Sequence, residues 1–191
     1  KLLGGEGRTA CTLKRKNFIS ESSILKVGLA DFVPTRNHYR ETDKETKISD
    51  YLKKAKDSIR IMSVSLADGL GYHGMNTDLE DILRNNKTAR ITISLLNFSN
   101  DNLVSVMAPI LGMMEDDLKS KIETAVRSLF SLKNKYRKRV TILLHNTIPF
   151  GTILALDEES LFGSLIVETR PYKLYSVDSF SFKLLNSENS I

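Results

Sequence analysis

The stretch that decides the fold runs from residue 90 to residue 144. It opens on Arg90-Ile91-Thr92-Ile93-Ser94-Leu95-Leu96 and closes on Val140-Thr141-Ile142-Leu143-Leu144, two short runs rich in β-branched residues. Between them the spacing turns helical, first over residues 101–112 and then over 115–136. In the second stretch apolar side chains recur at Leu118, Ile122, Ala125, Leu129 and Leu132. Strand, helical crossover and strand is the pattern of parallel pairing, because only a long crossover returns the second strand to the same end of a sheet.

Toward the N-terminus the pattern repeats. Thr46 to Ser58 reads as an amphipathic helix with Ile48, Tyr51, Leu52 and Ala55 on one face. Ile59 to Leu66 reads as a strand, broken by Gly69 and Gly71, and Asn76 to Asn85 as a helix presenting Leu79, Ile82 and Leu83. Farther upstream, Gly28 to Val33 is a short apolar run stopped by Pro34. After Pro149 the pattern changes: Thr152 to Leu156, Ser164 to Glu168 and Phe180 to Leu184 read as strands with no long helix between them. The expectation is an α/β domain whose sheet is mixed but mostly parallel and flanked by helices.

Composition sets the outer bounds. The 191 residues, 41% of them hydrophobic, suffice for one domain with a conventional core. Cys11 is the single cysteine, which excludes an intramolecular disulfide and a Cys-rich zinc site. One thiol fits a reducing compartment, so a cytoplasmic location is expected. No apolar run approaches the length of a membrane span, and no membrane partner is expected.

The net charge of +5 is compatible with an anionic partner without requiring one. Its densest cluster, Lys133, Lys135, Arg137, Lys138 and Arg139, reads as the solvated C-terminal end of a helix. Gly4, Gly5 and Gly7 are not followed by the Gly-Lys-Ser/Thr of a phosphate loop. Residues 1–27 read as a linker or the remnant of a preceding segment, and 28–191 as the domain. The opening residue is Lys1 rather than Met, so the expectation is a piece of a longer chain fused to other domains.

In the C-terminal third the chain reads Phe150-Gly151-Thr152-Ile153-Leu154-Ala155-Leu156-Asp157, followed by Gly163-Ser164. The Asp and the Gly-Ser pair stand close to the spacing of the phospholipase D-like superfamily, whose motif is His-x-Lys, four residues, Asp and then Gly-Ser. Four further segments, in order, resemble a bacterial branch of that superfamily: Gly28 to Arg36, Ile93 to Asn97, His145 to Gly151 and Ile166 to Lys173. The similarity covers about Gly28 to Leu185. It breaks at the chemistry, since the histidine position holds Phe150 and the lysine position Thr152.

In the family the histidine attacks phosphorus and the lysine neutralises the charge gathering on phosphate oxygens. Phenylalanine has no nucleophilic atom, and a threonine hydroxyl supplies no cation. The resemblance therefore implies a non-catalytic module, binding a phosphate-bearing small molecule, nucleotide or nucleic acid in a bacterial regulatory or defence-type protein. By the same analogy two copies pair as a homodimer.

Among the residues themselves, His145 ends a predicted strand, where open α/β sheets place ligands. With Glu168 and Arg170 it forms a candidate site: a base or nucleophile, an orienting carboxylate and a phosphate clamp. The alternative is a histidine that caps loop backbone. Asn146, Thr152, Ser164, Arg170 and Arg36 are the candidate ligand-binding residues, Arg36 lying on a polar loop with His38 and Arg40. Asp68 and His73 flank a glycine turn but fall short of a metal set, and neither a metal nor a cofactor is expected. Tyr172, Lys173 and Tyr175 suit base stacking or an amphipathic strand exit alike, and the run Met107 to Met114 reads as core filler. Two competing readings stand beside the binding module: a phosphodiesterase or nuclease built on His145, and a structural dimerisation domain.

Overall fold

The computed structural model describes residues 28–33, 48–67, 74–169 and 179–186. The described residues form seven strands and four helices. In chain order these are β1 (Leu29–Val33), α1 (Ile48–Leu52), β2 (Ser58–Ser63), α2 (Met75–Asn85), β3 (Arg90–Leu96), α3 (Asp101–Ile110), α4 (Glu115–Lys135), β4 (Val140–His145), β5 (Gly151–Leu156), β6 (Ser164–Thr169) and β7 (Ser181–Leu185). One sheet holds all the strands in the order β1-β7-β6-β5-β2-β3-β4.

The sheet is mixed, but the expectation of mostly parallel pairing is overturned. Only β2–β3 and β3–β4 are parallel; β1–β7, β2–β5, β5–β6 and β6–β7 are antiparallel. Parallel neighbours need a helical crossover, and only two of these pairs have one, through α2 and through α3–α4. The chain instead turns back directly from β5 into β6, across the short segment 157–163.

Both crossovers step through the sheet in the same direction. Right-handed crossovers that do so place their helices on the same side. That side is the core: Ile59, Ile61, Ile91, Ile93, Leu95, Leu154, Leu156 and Ile166 project from alternate strand positions against Leu52, Leu79, Leu83, Met107, Leu118, Ile122 and Leu129. The helix α4 shows why its sequence folds this way. Its acidic first turn (Glu115, Asp116, Asp117) and basic last turn (Lys133, Lys135) complement the helix dipole, and Leu118, Ile122, Ala125, Leu129 and Leu132 form the buried stripe. Asn100 caps α3, its side chain accepting from Leu103 N.

The helix expected over Thr46 to Ser58 is shorter among the described residues, ending at Leu52. Lys54 N and Ala55 N bond three residues back, to Tyr51 O and Leu52 O, which tightens the last turn. Beyond it the N–H groups of Lys56, Asp57 and Ser58 all donate to the Asp157 carboxylate. That capture takes the chain out of helical geometry and starts β2 at Ser58. Among the described helices none is long and apolar enough to cross a membrane.

Candidate functional site

β2, β3 and β4 end together at one edge of the sheet. At this edge four polar residues line up across neighbouring strands. Thr152 lies opposite Glu168, and Glu168 opposite Ser181. On the other side Thr152 Oγ1 is 3.0 Å from Ser63 Oγ. All four are buried, and the period-two alternation of strands puts them on the helix-covered face. The row presents one carboxylate and three hydroxyls.

His145 ends β4 at the same edge. Its Nδ1 lies 2.9 Å from Thr147 O and 3.3 Å from Thr147 Oγ1, and its Nε2 lies 3.2 Å from Ser63 O. Each ring nitrogen thus faces a backbone carbonyl. A carbonyl only accepts, so a neutral ring donates to one of these two and its other nitrogen is left to the Thr147 hydroxyl. The ring ties the end of β4 to the end of β2, the bonding to loop backbone that was the alternative to a chemical role.

Within one chain His145 and Glu168 are not brought together. Three strands (β3, β2 and β5) lie between β4 and β6, and four spacings of roughly 4.8 Å amount to about 19 Å. His145 also pairs with Leu96, one position past the Leu95–Leu144 pair that continues the Ser63 row. Alternation therefore sends it to the opposite face.

The remaining expected residues divide. Thr152 is buried beside Ser63 and Glu168, whereas Phe150 is 62% exposed. Asn146 joins β4 to α3: its Oδ1 accepts from Asn97 Nδ2 at 3.0 Å and from Asn100 Nδ2 at 3.4 Å. Ser164 starts β6 and contacts Tyr51, Oγ to OH at 3.0 Å. It stands four residues from Glu168, about 13 Å along a strand, so it belongs to the other end of the sheet. Arg170, Arg36, His38, Arg40, Asp68, His73, Tyr172, Lys173 and Tyr175 lie outside the described residues.

Asp157 takes a structural place. Its Oδ2 accepts from Lys56 N at 2.8 Å, and its Oδ1 from Asp57 N and Ser58 N, each at 2.7 Å. Burial pushes its carboxyl upward, but these three N–H donors and the Lys56 charge outweigh that and hold it below the usual range. Gly163 closes the same turn, because a Cβ there would lie 2.5 Å from Asp157 O. The Asp and the Gly of the motif-like spacing are thus joined through backbone packing at the far end of the sheet from Thr152.

The basic cluster behaves as a helix end. Lys135 Nζ meets Glu80 at 2.5 Å, and Arg139 donates to Leu83 O and Asn86 O at the C-terminal end of α2. Met107 is buried and Met113 packs on the core, while Met114 is exposed. Among the described residues no three His, Cys, Asp or Glu side chains gather as a metal set.

The sequence did not single out Ser63 and Ser181, which complete the buried row. A serine at the end of an apolar strand carries no signal until the register sets it beside a carboxylate. No protein-family model matches this chain, and no curated protein matches it.

Proposed function

We propose that this chain is a non-catalytic phospholipase D-like module that binds a phosphate-bearing ligand within a bacterial regulatory or defence-type multidomain protein. The observation that supports the non-catalytic part is that His145 lies against local backbone and the Thr147 hydroxyl, with Nε2 3.2 Å from Ser63 O and Nδ1 3.3 Å from Thr147 Oγ1. Phe150 and Thr152 stand where the resemblance places the attacking histidine and the charge-neutralising lysine. The buried row of Thr152, Glu168, Ser63 and Ser181 supports a retained polar sheet end in place of a reaction centre.

The test is phosphodiesterase activity on bis-p-nitrophenyl phosphate and on single-stranded DNA and RNA, comparing wild type with His145→Ala. Neither protein is expected to exceed buffer, and loss of the carbonyl contacts is expected to lower stability by about 1 kcal/mol. Wild-type activity abolished in His145→Ala would replace this reading with a phosphodiesterase or nuclease.

A dimerisation reading draws on a separate observation. β4 is an outer strand of the sheet, and Val140 to His145 carries no Lys, Asp, Glu or Pro of the kind that protects edges. Leu143 and Leu144, on opposite faces, are 49% and 42% exposed. Antiparallel pairing of two β4 edges about a two-fold axis would be self-complementary. Sedimentation equilibrium checks it: a dimer that Leu143→Lys dissociates is the expected result, and a wild-type monomer at high micromolar concentration would exclude it.

A further inference from the structure

The helices of both crossovers pack on one face of the sheet, and on the other face a cavity of about 700 Å³ opens over the N-terminal ends of β2, β3 and β4. It lies at the opposite end of the sheet from His145 and Thr152. Arg60, Thr92 and Thr141 form one cross-strand row on its floor, and Arg90 lies opposite Ser58 at the adjacent strand ends.

Arg60, Arg90, Lys138 and Arg139 line this cavity together with the carboxylates of Asp57, Asp157, Glu158 and Glu159. On the β5 side Glu158 and Glu159 are engaged by Arg60, at 2.5 and 3.8 Å, and the Asp157 carboxylate is filled by three backbone N–H groups. On the β3–β4 side Arg139 donates to Leu83 O in α2 and to Asn86 O just past its end. Arg90 and Lys138 remain. Both line the cavity, and neither has a carboxylate partner among the described residues. Beside them stand the neighbouring hydroxyls of Thr92 and Thr141.

We infer that this cavity is an anion site for a phosphate-bearing small molecule, held by Arg90, Lys138, Thr92 and Thr141. A guanidinium offers two parallel donors to a phosphate, an ammonium adds a point charge, and hydroxyls satisfy the remaining oxygens. Two cations that make no ion pair among the described residues suit a multiply charged phosphate better than a single carboxylate, and the Asp57 carboxylate beside Arg90 favours a compact ligand. The volume is within the range of small-molecule sites and admits a mononucleotide. Glu158 and Glu159 on the facing wall disfavour a long polyanion crossing the groove, which argues for a compact ligand over a nucleic-acid strand.

Isothermal titration calorimetry of the whole chain with inorganic pyrophosphate, repeated with ADP, tests the site. Saturable binding is expected, weakened about tenfold or more in Arg90→Gln/Lys138→Gln. Lys53→Gln/Lys121→Gln removes the same charge on the helical side and is expected to bind as wild type, as is His145→Ala. Far-UV circular dichroism checks that each variant is folded, and Arg90→Lys, which keeps the charge without the fork, should fall between wild type and the double variant. Absence of binding at millimolar pyrophosphate and ADP would overturn the site. Equal weakening in both double variants would do the same by reducing the effect to surface charge, and loss in His145→Ala would move the ligand to the other sheet end. The inference does not depend on the phospholipase D-like reading, which the activity assay tests separately.

Discussion

Asp157 and Ser58 are bonded in both directions across 99 residues of chain: Ser58 N donates to Asp157 Oδ1 at 2.7 Å, and Asp157 N donates to Ser58 O at 3.0 Å. This reciprocal pair joins the end of β5 to the start of β2, the seam between the parallel and antiparallel halves of the sheet. Asp157 adopts a left-handed backbone, φ 48°, to reach it.

Asp157→Ala leaves three backbone N–H groups without their acceptor and places alanine at a positive φ. A loss of about 3 kcal/mol or more is expected. Asp157→Asn keeps one acceptor oxygen and tolerates the left-handed conformation, so about half that loss is expected. Urea unfolding of the two variants beside wild type gives the comparison, and equal stability of all three would remove Asp157 from the seam.

The same carboxylate makes stability depend on pH. Its folded value is depressed, since burial, which raises it, is outweighed by the Ser58, Lys56 and Asp57 N–H groups. The contribution is therefore complete above the unfolded-chain value of about 4 and is lost as pH falls through the lower folded value. The stability gap between wild type and Asp157→Asn is expected to stay constant from neutral pH to mildly acid pH and to narrow below that. A gap that widened on acidification would contradict the sign of the shift.

Gly151 stands between Phe150 and Thr152, and an added Cβ would overlap the Glu168 carbonyl oxygen. The obstacle is backbone of the adjoining strand, which cannot rotate away as a side chain would. Gly151→Ala is expected to cost about 3 kcal/mol, at the upper end of overpacking, and to spread the β5–β6 ladder. Thermal unfolding and amide exchange at Ile153 and Val167 would register it; unchanged protection there would refute the contact.

Ser63 and Thr152 share a buried hydroxyl–hydroxyl bond. A double-mutant cycle of Ser63→Ala and Thr152→Val is expected to return a coupling of about 1 kcal/mol. A coupling near zero would mean that each hydroxyl is satisfied elsewhere.

Local pattern carried much of the architecture. The β3 alternation of Ile91, Ile93 and Leu95, the apolar stripe and end charges of α4, and the absence of helical spacing after Pro149 are properties of neighbouring residues. They fixed the α/β class and most element positions, because periodicity and helix-end charge act over a few residues. Pairing direction was another matter. Nothing local to β5 says that it lies antiparallel to β2, or that β1 closes against β7, since those choices depend on surfaces far apart in the chain.

The candidate site divides along the same line. The sequence alone determined that Phe150 and Thr152 precede Asp157, and that neither supplies an imidazole or a cation. Only the tertiary structure decided what surrounds them. Register put Thr152 beside Glu168 and Ser63, set His145 four strands away from Glu168, and sent Asp157 to the backbone of Lys56, Asp57 and Ser58. It also left Arg90 and Lys138 over a cavity while their neighbours Arg60 and Arg139 found partners. The physical reason is that hydrogen bonds and ion pairs are settled over a few ångströms in space, where residues a hundred positions apart in the sequence are first neighbours.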